Sequence, residues 1–489
     1  MPLHIIGLGC ARNDVDGEEL AARFAQDGFT LTDDPSEAEV VVVNTCGFIE
    51  AAKKDSIDTI LAASDLKQEG KARAVVAVGC LAERYGTELA TNLPEADAVL
   101  GFDQYPDIAA TVRRILDGGE APVHIPSDRR KLLPVTPLDR PSAASAVSVP
   151  GHGGGVVFTP MVNPLGSGPG VPASGPSVLR HRLNDAPTAP LKIASGCDRR
   201  CAFCAIPALR GSLVSRPIAD IVAEAAWLGE CGVRELYLVS ENTTAYGKDL
   251  AQPRALEALL RELSGVDGIE WIRLSYLQPA EMTPMLVEAM ATTPKVVPYF
   301  DLPFQHASGT VLKRMRRFGD TESFLGLVDR IRQASPEAGI RTNVITGFPG
   351  ETVGDVATLI DFLTAGRFDA IGVFGYSDED GTAAFDLDGH VDEDEIRART
   401  DAVAEVADLV MAERAEERVG TVVDVLFEEW DDEDGAVVWQ GRAAHQGPES
   451  DGHVRVTLDP AQGDHTVTSG DISSVTISGH DGVDLEAVL

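Results

Sequence analysis

Three short apolar runs open the chain: "LHIIGLGC" (3–10), "EVVVVNTC" (39–46) and "RAVVAVGC" (73–80). Strands buried on both faces of a parallel sheet have this pattern, because neither face meets water. Between them, "DGEELAARFAQDG" (16–28) and "IEAAKKDSIDTILAASDL" (49–66) carry apolar positions at helical spacing. A repeat of about 35 residues is the length of a βα unit, so residues 1–120 are expected to form a small parallel α/β domain.

From 121 to 188 the periodicity fails. "PSAASAVSVPGHGGGVVFTPMVNPLGSGPGVPASGPS" (141–177) is crowded with Gly, Pro, Ser and Ala, the composition of a linker or an insertion without a core. Its "GVVF" run is the one candidate for an edge strand.

The alternation restarts over 189–418. Six candidate strands appear: "LKIASGC", "ELYLVSEN", "WIRLSYLQP", "VVPYFDLPFQ", "RTNVITGFPG" and "AIGVFGYS". Helical patterns such as "IADIVAEAAWLGECG" and "VATLIDFLTAGR" separate them. A closed eight-unit barrel takes about 250 residues. Six units therefore predict an open (β/α)6 partial TIM barrel, with polar and glycine-rich groups at the C-terminal ends of its strands. A long helix within 392–420 closes this segment. Residues 419–489 then alternate in short strands ("TVVDVLFEEW", "AVVWQGRAA", "HVRVTLD", "ISSVTISG"), which predicts a small β-barrel of OB-like size.

Length and composition narrow the class. At 489 residues the chain exceeds one core. No run of eighteen apolar residues occurs, and "MPLHIIGLGCARND" lacks a basic lead-in and cleavage site. The expectation is a cytoplasmic protein without a membrane span, in a compartment where clustered thiols bind metal more often than they form disulfides. The formal net charge of −36 disfavours a broad nucleic-acid surface and suits either a basic partner or a solvated acidic surface.

Six of the seven cysteines fall into two sets. "SGCDRRCAFCAIP" places Cys197, Cys201 and Cys204 at C-x3-C-x2-C spacing, with no histidine in the next thirty residues. Structural zinc wants four ligands. Three thiolates instead suit a [4Fe–4S] cube with one iron left open to a small molecule, shielded by Ala202, Phe203, Ala205 and Ile206. Cys10, Cys46 and Cys80 each end one of the three N-terminal strands. Neighbouring parallel strands bring such positions together along one sheet edge, so a second three-cysteine cluster is expected there. The alternative is three core cysteines, since free Cys is often buried. Cys231, at a helix end in "LGECGVREL", reads as ordinary packing.

The C-x3-C-x2-C loop, with an aromatic residue before its third cysteine at a strand end, resembles the radical S-adenosylmethionine (SAM) enzymes. The two trios, the partial barrel and the terminal barrel together resemble the methylthiotransferases, over nearly all the chain except 121–188. "GLGCARNDVDGE", "NTCGFIEAAKKDSI", "DLPFQHASGTVLKRM", "ITGFPGET" and "GVFGYSDEDGT" are most similar to the branch acting on an aspartate of small-subunit ribosomal protein twelve. The sister branch modifies adenosine in tRNA.

This resemblance implies two [4Fe–4S] clusters and SAM. The cluster at Cys197, Cys201 and Cys204 would cleave SAM to a radical that takes a hydrogen from the aspartate β-carbon. The one at Cys10, Cys46 and Cys80 would hold the sulfur, methylated by a second SAM. An unactivated C–H bond offers acid–base chemistry no purchase, so cofactors carry the step. A flavodoxin- or ferredoxin-type donor and a monomeric enzyme are further expectations, and residues 419–489 would be a TRAM-type substrate-recognition barrel.

The remaining candidates sit at strand ends. Gly347 and Gly350 would let backbone approach the adenine, or simply make a turn. Glu241, Asn242 and Gln305 would face the SAM amino group or ribose, or serve as structural hydrogen-bonders. His306 is left without a role, because a radical route needs no base. Arg199 and Arg200 flank the cysteine loop as solvated charge or meet a substrate carboxylate.

The terminal module bears on the substrate. From Thr421 to Leu489 there are fifteen Asp/Glu against two arginines, Arg442 and Arg455. An RNA-binding module needs cations for phosphates, whereas this one suits a basic ribosomal protein. A rival of another class is an iron–sulfur electron carrier, which a barrel of six strands exceeds.

Overall fold

The computed structural model describes residues 1–129, 180–433, 436–448, 451–458 and 467–489. The "GVVF" run lies outside the described residues.

The N-terminal sheet is built on β1 (Pro2–Gly7), β3 (Val40–Thr45) and β4 (Ala74–Gly79), the three apolar runs. Two edge strands of two residues each, β2 (Thr30–Leu31) and β5 (Ala98–Val99), extend it to a parallel sheet of order β2-β1-β3-β4-β5. Such short edges carry no periodicity to read. Helices α1 (Ala11–Gln26) and α4 (Ile108–Leu116) cover one face, through Leu20, Phe24, Ile108 and Val112. Helices α2 (Glu50–Glu69) and α3 (Cys80–Asn92) cover the other, through Ile60, Ala63, Leu81 and Leu89. All six residues of β3 and of β4 are buried, which is why those runs do not alternate.

The second body contains all six expected strands, arranged as two three-stranded parallel sheets. One joins β6 (Thr188–Lys192), β9 (Glu235–Val239) and β10 (Trp271–Leu274) in the order β10-β9-β6. The other joins β11 (Tyr299–Asp301), β12 (Gly339–Thr346) and β13 (Ala370–Gly375). An isolated bridge between Ile272 and Val296 links them. The ladder breaks there because Pro298 has no amide to donate, and Tyr299 N turns back to Val297 O at 2.8 Å. One apolar core, including Leu238, Ile272, Phe300 and Val344, nevertheless runs under both sheets. A short antiparallel pair, β7 (Ala194–Ser195) and β8 (Val214–Ser215), holds together the two ends of the cysteine loop and the helix α5 (Ile206–Arg210) that follows it.

Ion pairs join these two bodies directly. Asp16 of α1 meets Lys192 at the end of β6 and Arg210 of α5, the latter at 2.9 Å, with all three side chains at most 3% exposed. Arg180, fully buried, pairs with Glu18 and with Glu224. Lys53 and Arg84 reach Glu379, each at 2.8 Å. The first part of the 121–188 stretch, residues 121–129, is docked as well: Arg129 pairs with Glu83 and Asp103, and His124 is buried against Glu83.

A helix over Glu393–Glu416 leads to a closed five-stranded barrel: β14 (Val422–Glu433), β15 (Ala436–Ala443), β16 (Val454–Thr457), β17 (Ile472–Asp481) and β18 (Asp484–Val488). The last strand is one more than the sequence pattern suggests. It follows β17 after two residues and pairs parallel with β16, so it inserts between β16 and β17 and removes the free edges. This barrel sits on the second body through buried charge. Glu235 takes both Arg273 and Arg442, and Tyr299 donates its hydroxyl to Asp451.

Candidate active site

Parallel pairing places the three N-terminal cysteines at one sheet edge. Asn44 of β3 stands opposite Gly7 of β1 and Val78 of β4, so the residues just after each strand come out side by side. Cys10 caps α1 and Cys80 begins α3. Cys46 lies between them: a Cβ on Gly9 would fall 3.1 Å from its sulfur, and a Cβ on Gly47 only 3.1 Å from the Cys80 carbonyl carbon. Gly9, at φ +101°, is the position where only glycine lets the Cys10 loop approach this closely.

The second trio sits across the seam. Cys197 is held by its amide to Gly211 O at 3.0 Å, and Ala202, the residue after Cys201, is tied to Met315 and Ala384. Ala202 and Phe203 pack with Val311, Met315, Phe348 and Tyr376, an apolar shield on one side of the loop. Arg317 reaches Cys201 Sγ at 3.9 Å.

Glu241 occupies the ground between the trios. Its carboxylate is 3% exposed and lies 3.7 Å from the Nε atoms of both Arg12 and Arg210. Both carboxylate oxygens are buried without a hydrogen-bond donor among the described residues. Arg12 donates to Cys10 Sγ at 3.5 Å and to Ser240 O at 3.0 Å, stacked on the Tyr276 ring. Arg210 donates to Cys80 Sγ at 3.3 Å and to Asp16, stacked on Phe102. Burial opposes charge on both guanidiniums. The cysteines and Glu241 beside them, with Asp16 at Arg210, more than offset it and keep both protonated.

The thiols are pushed the other way. Burial, reinforced by neighbouring cysteines, raises Cys80 to about 11 and Cys197 and Cys204 to about 12. Mutually repelling buried thiols need a cation to exist as thiolates, and metal binding supplies it by displacing their protons. Among the described residues no group of His, Cys, Asp or Glu stands close enough to share one metal ion. Three cysteines without a histidine are, as a donor set, suited to a cube with one open iron.

Gly347 and Gly350 have positive φ, and a Cβ would meet Ile396 at 2.5 Å and Arg314 Nε at 2.6 Å. Gln305, after β11, adopts φ +72° and is pinned by its backbone to Asn343 and Ile345. Tyr276 after β10 is left-handed too. Such conformations cluster where strand ends form sites. Asn242 and Arg199 both bond Glu281, while Arg200 is exposed. His306 is a structural hub. Its Nδ1 accepts the amides of Ala307 and Ser308, and its Nε2 faces Glu351 at 3.3 Å. Cys231 is exposed at the end of its helix, away from any packed interior. Sequence reasoning passed over Arg12, Arg210 and Tyr276. The available signal was a basic residue two positions after Cys10 and another six after Cys204, in a chain with few cations.

A three-cysteine loop at the strand ends of a parallel α/β body defines the radical SAM class, and residues 191–363 match the family model described as Radical SAM superfamily. Residues 2–101 match Uncharacterized protein family UPF0004, and 419–489 match the TRAM domain. The chain is 60% identical over 487 residues to the ribosomal protein uS12 methylthiotransferase RimO of Cutibacterium acnes, covering 100% of this chain and 98% of that one. It is 56% identical over 488 residues to the protein of the same name from Nocardioides sp., covering 99% and 96%. The chain belongs to the ribosomal protein uS12 methylthiotransferase family. Among solved structures, the radical SAM methyltransferase TsrM from Kitasatospora setae, with cobalamin and a [4Fe–4S] cluster bound, aligns with TM-score 0.51 at 16% identity, over 76% of this chain and 71% of that one. That is a likeness of fold alone.

Proposed function

We propose that this chain adds a methylthio group to the β-carbon of an aspartate in ribosomal protein uS12. One [4Fe–4S] cluster would be held by Cys197, Cys201 and Cys204, and a second by Cys10, Cys46 and Cys80. The observation that carries the reading is the near-full-length identity with uS12 methylthiotransferases. The two trios on either side of one buried carboxylate support it. When bound, the clusters and SAM supply the C–H abstraction and the sulfur. The protein's own residues exclude water and set the distance between the centres.

The six strands act as one open (β/α)6 partial barrel over 189–418, between a cluster domain at 1–120 and a recognition barrel at 419–489, with 121–188 connecting the first two. Glu241 and Gln305, with the Gly347–Gly350 turn, are the proposed SAM contacts. The recognition barrel favours a basic protein over RNA. Arg442 is spent inside on Glu235 and Glu428, while Asp424, Glu429, Asp431 and Glu486 are exposed. Electrons come from a flavodoxin- or ferredoxin-type donor, and the enzyme works as a cytoplasmic monomer. No helix among the described residues is long and apolar enough to cross a membrane.

The test is anaerobic reconstitution with a reductant, SAM, sulfide, and both uS12 and tRNA, read by mass spectrometry. The expected result is about eight iron per chain, release of 5′-deoxyadenosine, and methylthiolation of the uS12 aspartate alone. Modified tRNA with untouched uS12 would reverse the substrate, and absence of 5′-deoxyadenosine would leave an electron carrier.

A further inference from the structure

The charges around the two trios are unequal. Arg12 and Arg210 each donate to a sulfur of the N-terminal trio, Cys10 and Cys80 respectively. Arg12, Arg210 and Lys192 stand beside the two carboxylates Asp16 and Glu241, one positive charge in excess among these five groups. At the other trio, among the described residues, a single guanidinium, Arg317, donates to a sulfur, that of Cys201, at the longer distance of 3.9 Å. Cys197 has Glu241 and Asp198 near it and receives the Arg199 amide at 3.4 Å. The two arginines are not there for packing alone. Each lies over an aromatic ring, Arg12 at 4.5 Å from the Tyr276 centroid and Arg210 at 5.0 Å from that of Phe102, and each turns a nitrogen to a cysteine sulfur.

Reducing a cube adds one negative charge, and so does an anionic sulfur atom at its open iron. In a buried place either addition is costly without a nearby cation. Hydrogen bonds to the ligating sulfurs and local net charge are among the protein's means of setting a cluster potential. We propose that Arg12 and Arg210, braced by Glu241, are positioning residues that raise the reduction potential of the centre held by Cys10, Cys46 and Cys80. Glu241 keeps the two guanidiniums apart and restrains how much of their charge the centre feels.

This inference rests on that trio holding a [4Fe–4S] cluster. The test uses the full chain with Cys197, Cys201 and Cys204 changed to Ala, so that the spectrum belongs to one centre. It is reconstituted anaerobically and titrated with dithionite, following the reduced cluster by electron paramagnetic resonance. If this parent binds no iron, the two-cluster reading fails, separately from the arginine role. With the cluster loaded, Arg12→Gln and Arg210→Gln should each lower the midpoint by at least about 59 mV, a tenfold change in the one-electron ratio. Arg12→Lys and Arg210→Lys should recover most of the shift, because charge is what acts. Glu241→Gln should move the midpoint upward. An unchanged midpoint in the Gln variants, or Lys variants as low as Gln, would overturn the proposal. Should the Gln variants fail to load iron, the Glu241→Gln midpoint decides: a rise upholds the electrostatic role, and no change or a fall overturns it.

Discussion

Asp16 and Lys192 form an ion pair with no solvent exposure on either side chain, and it crosses the seam between the two α/β bodies. Burial works against the Asp16 charge, but Lys192 and Arg210 outweigh it and hold the carboxyl below its ordinary range. Through this pair the helix that starts at Cys10 is clamped to the strand that leads into Cys197. Asp16→Ala removes the carboxylate that the buried Lys192 and Arg210 share and should cost about 3–5 kcal/mol. Chemical denaturation of the full chain measures it, and a loss below about 1 kcal/mol would show that the seam does not depend on this pair.

Cys10→Ala removes one of three ligands from the N-terminal trio and leaves the other trio untouched. Iron should fall to about half while reductive SAM cleavage persists, because each centre is expected to hold four irons. Iron and sulfide assays with 5′-deoxyadenosine release check it. Unchanged iron would mean that Cys10 is not a ligand.

Acid should loosen the terminal barrel. Glu235 is fully buried, which by itself raises its pKa; Arg273 and Arg442 reverse this and bring it from an ordinary 4.5 to about 2. A carboxyl whose folded value lies below its unfolded one stabilises fully above about pH 4.5 and loses that contribution as pH falls toward 2. The loss is on the order of 3 kcal/mol over that window. Unfolding free energy followed from pH 5 to 2 should show the slope, and Glu235→Gln should flatten it at lower overall stability.

Gly347→Ala separates packing from cofactor contact. Its positive φ and the 2.5 Å approach to Ile396 predict a strained, less stable chain, by about 1–3 kcal/mol from the backbone alone. If packing is its whole role, the thermal midpoint falls while the KM for SAM holds in the folded fraction. A raised KM at unchanged stability would place the turn at the adenine.

Electrostatic steering of a basic substrate should fade with salt. Raising ionic strength from about 0.05 to 0.5 M shortens the screening length several-fold, so kcat/KM for uS12 should fall while kcat changes little. A salt-independent kcat/KM would remove the acidic barrel face from recognition.

The apolar runs determined β1, β3, β4 and the six later strands, and the C-x3-C-x2-C spacing marked Cys197, Cys201 and Cys204, because strand burial and loop spacing are local properties. Cys10, Cys46 and Cys80, by contrast, meet only through the pairing of their strands. Edge strands of two residues, the break at Pro298 and the closing strand β18 were decided only by pairing between distant segments. The bridge of Arg12, Glu241 and Arg210 belongs to that second group. Its members lie far apart along the chain, none carries a motif of its own, and a buried charge acquires its partners only when the bodies that carry them pack together.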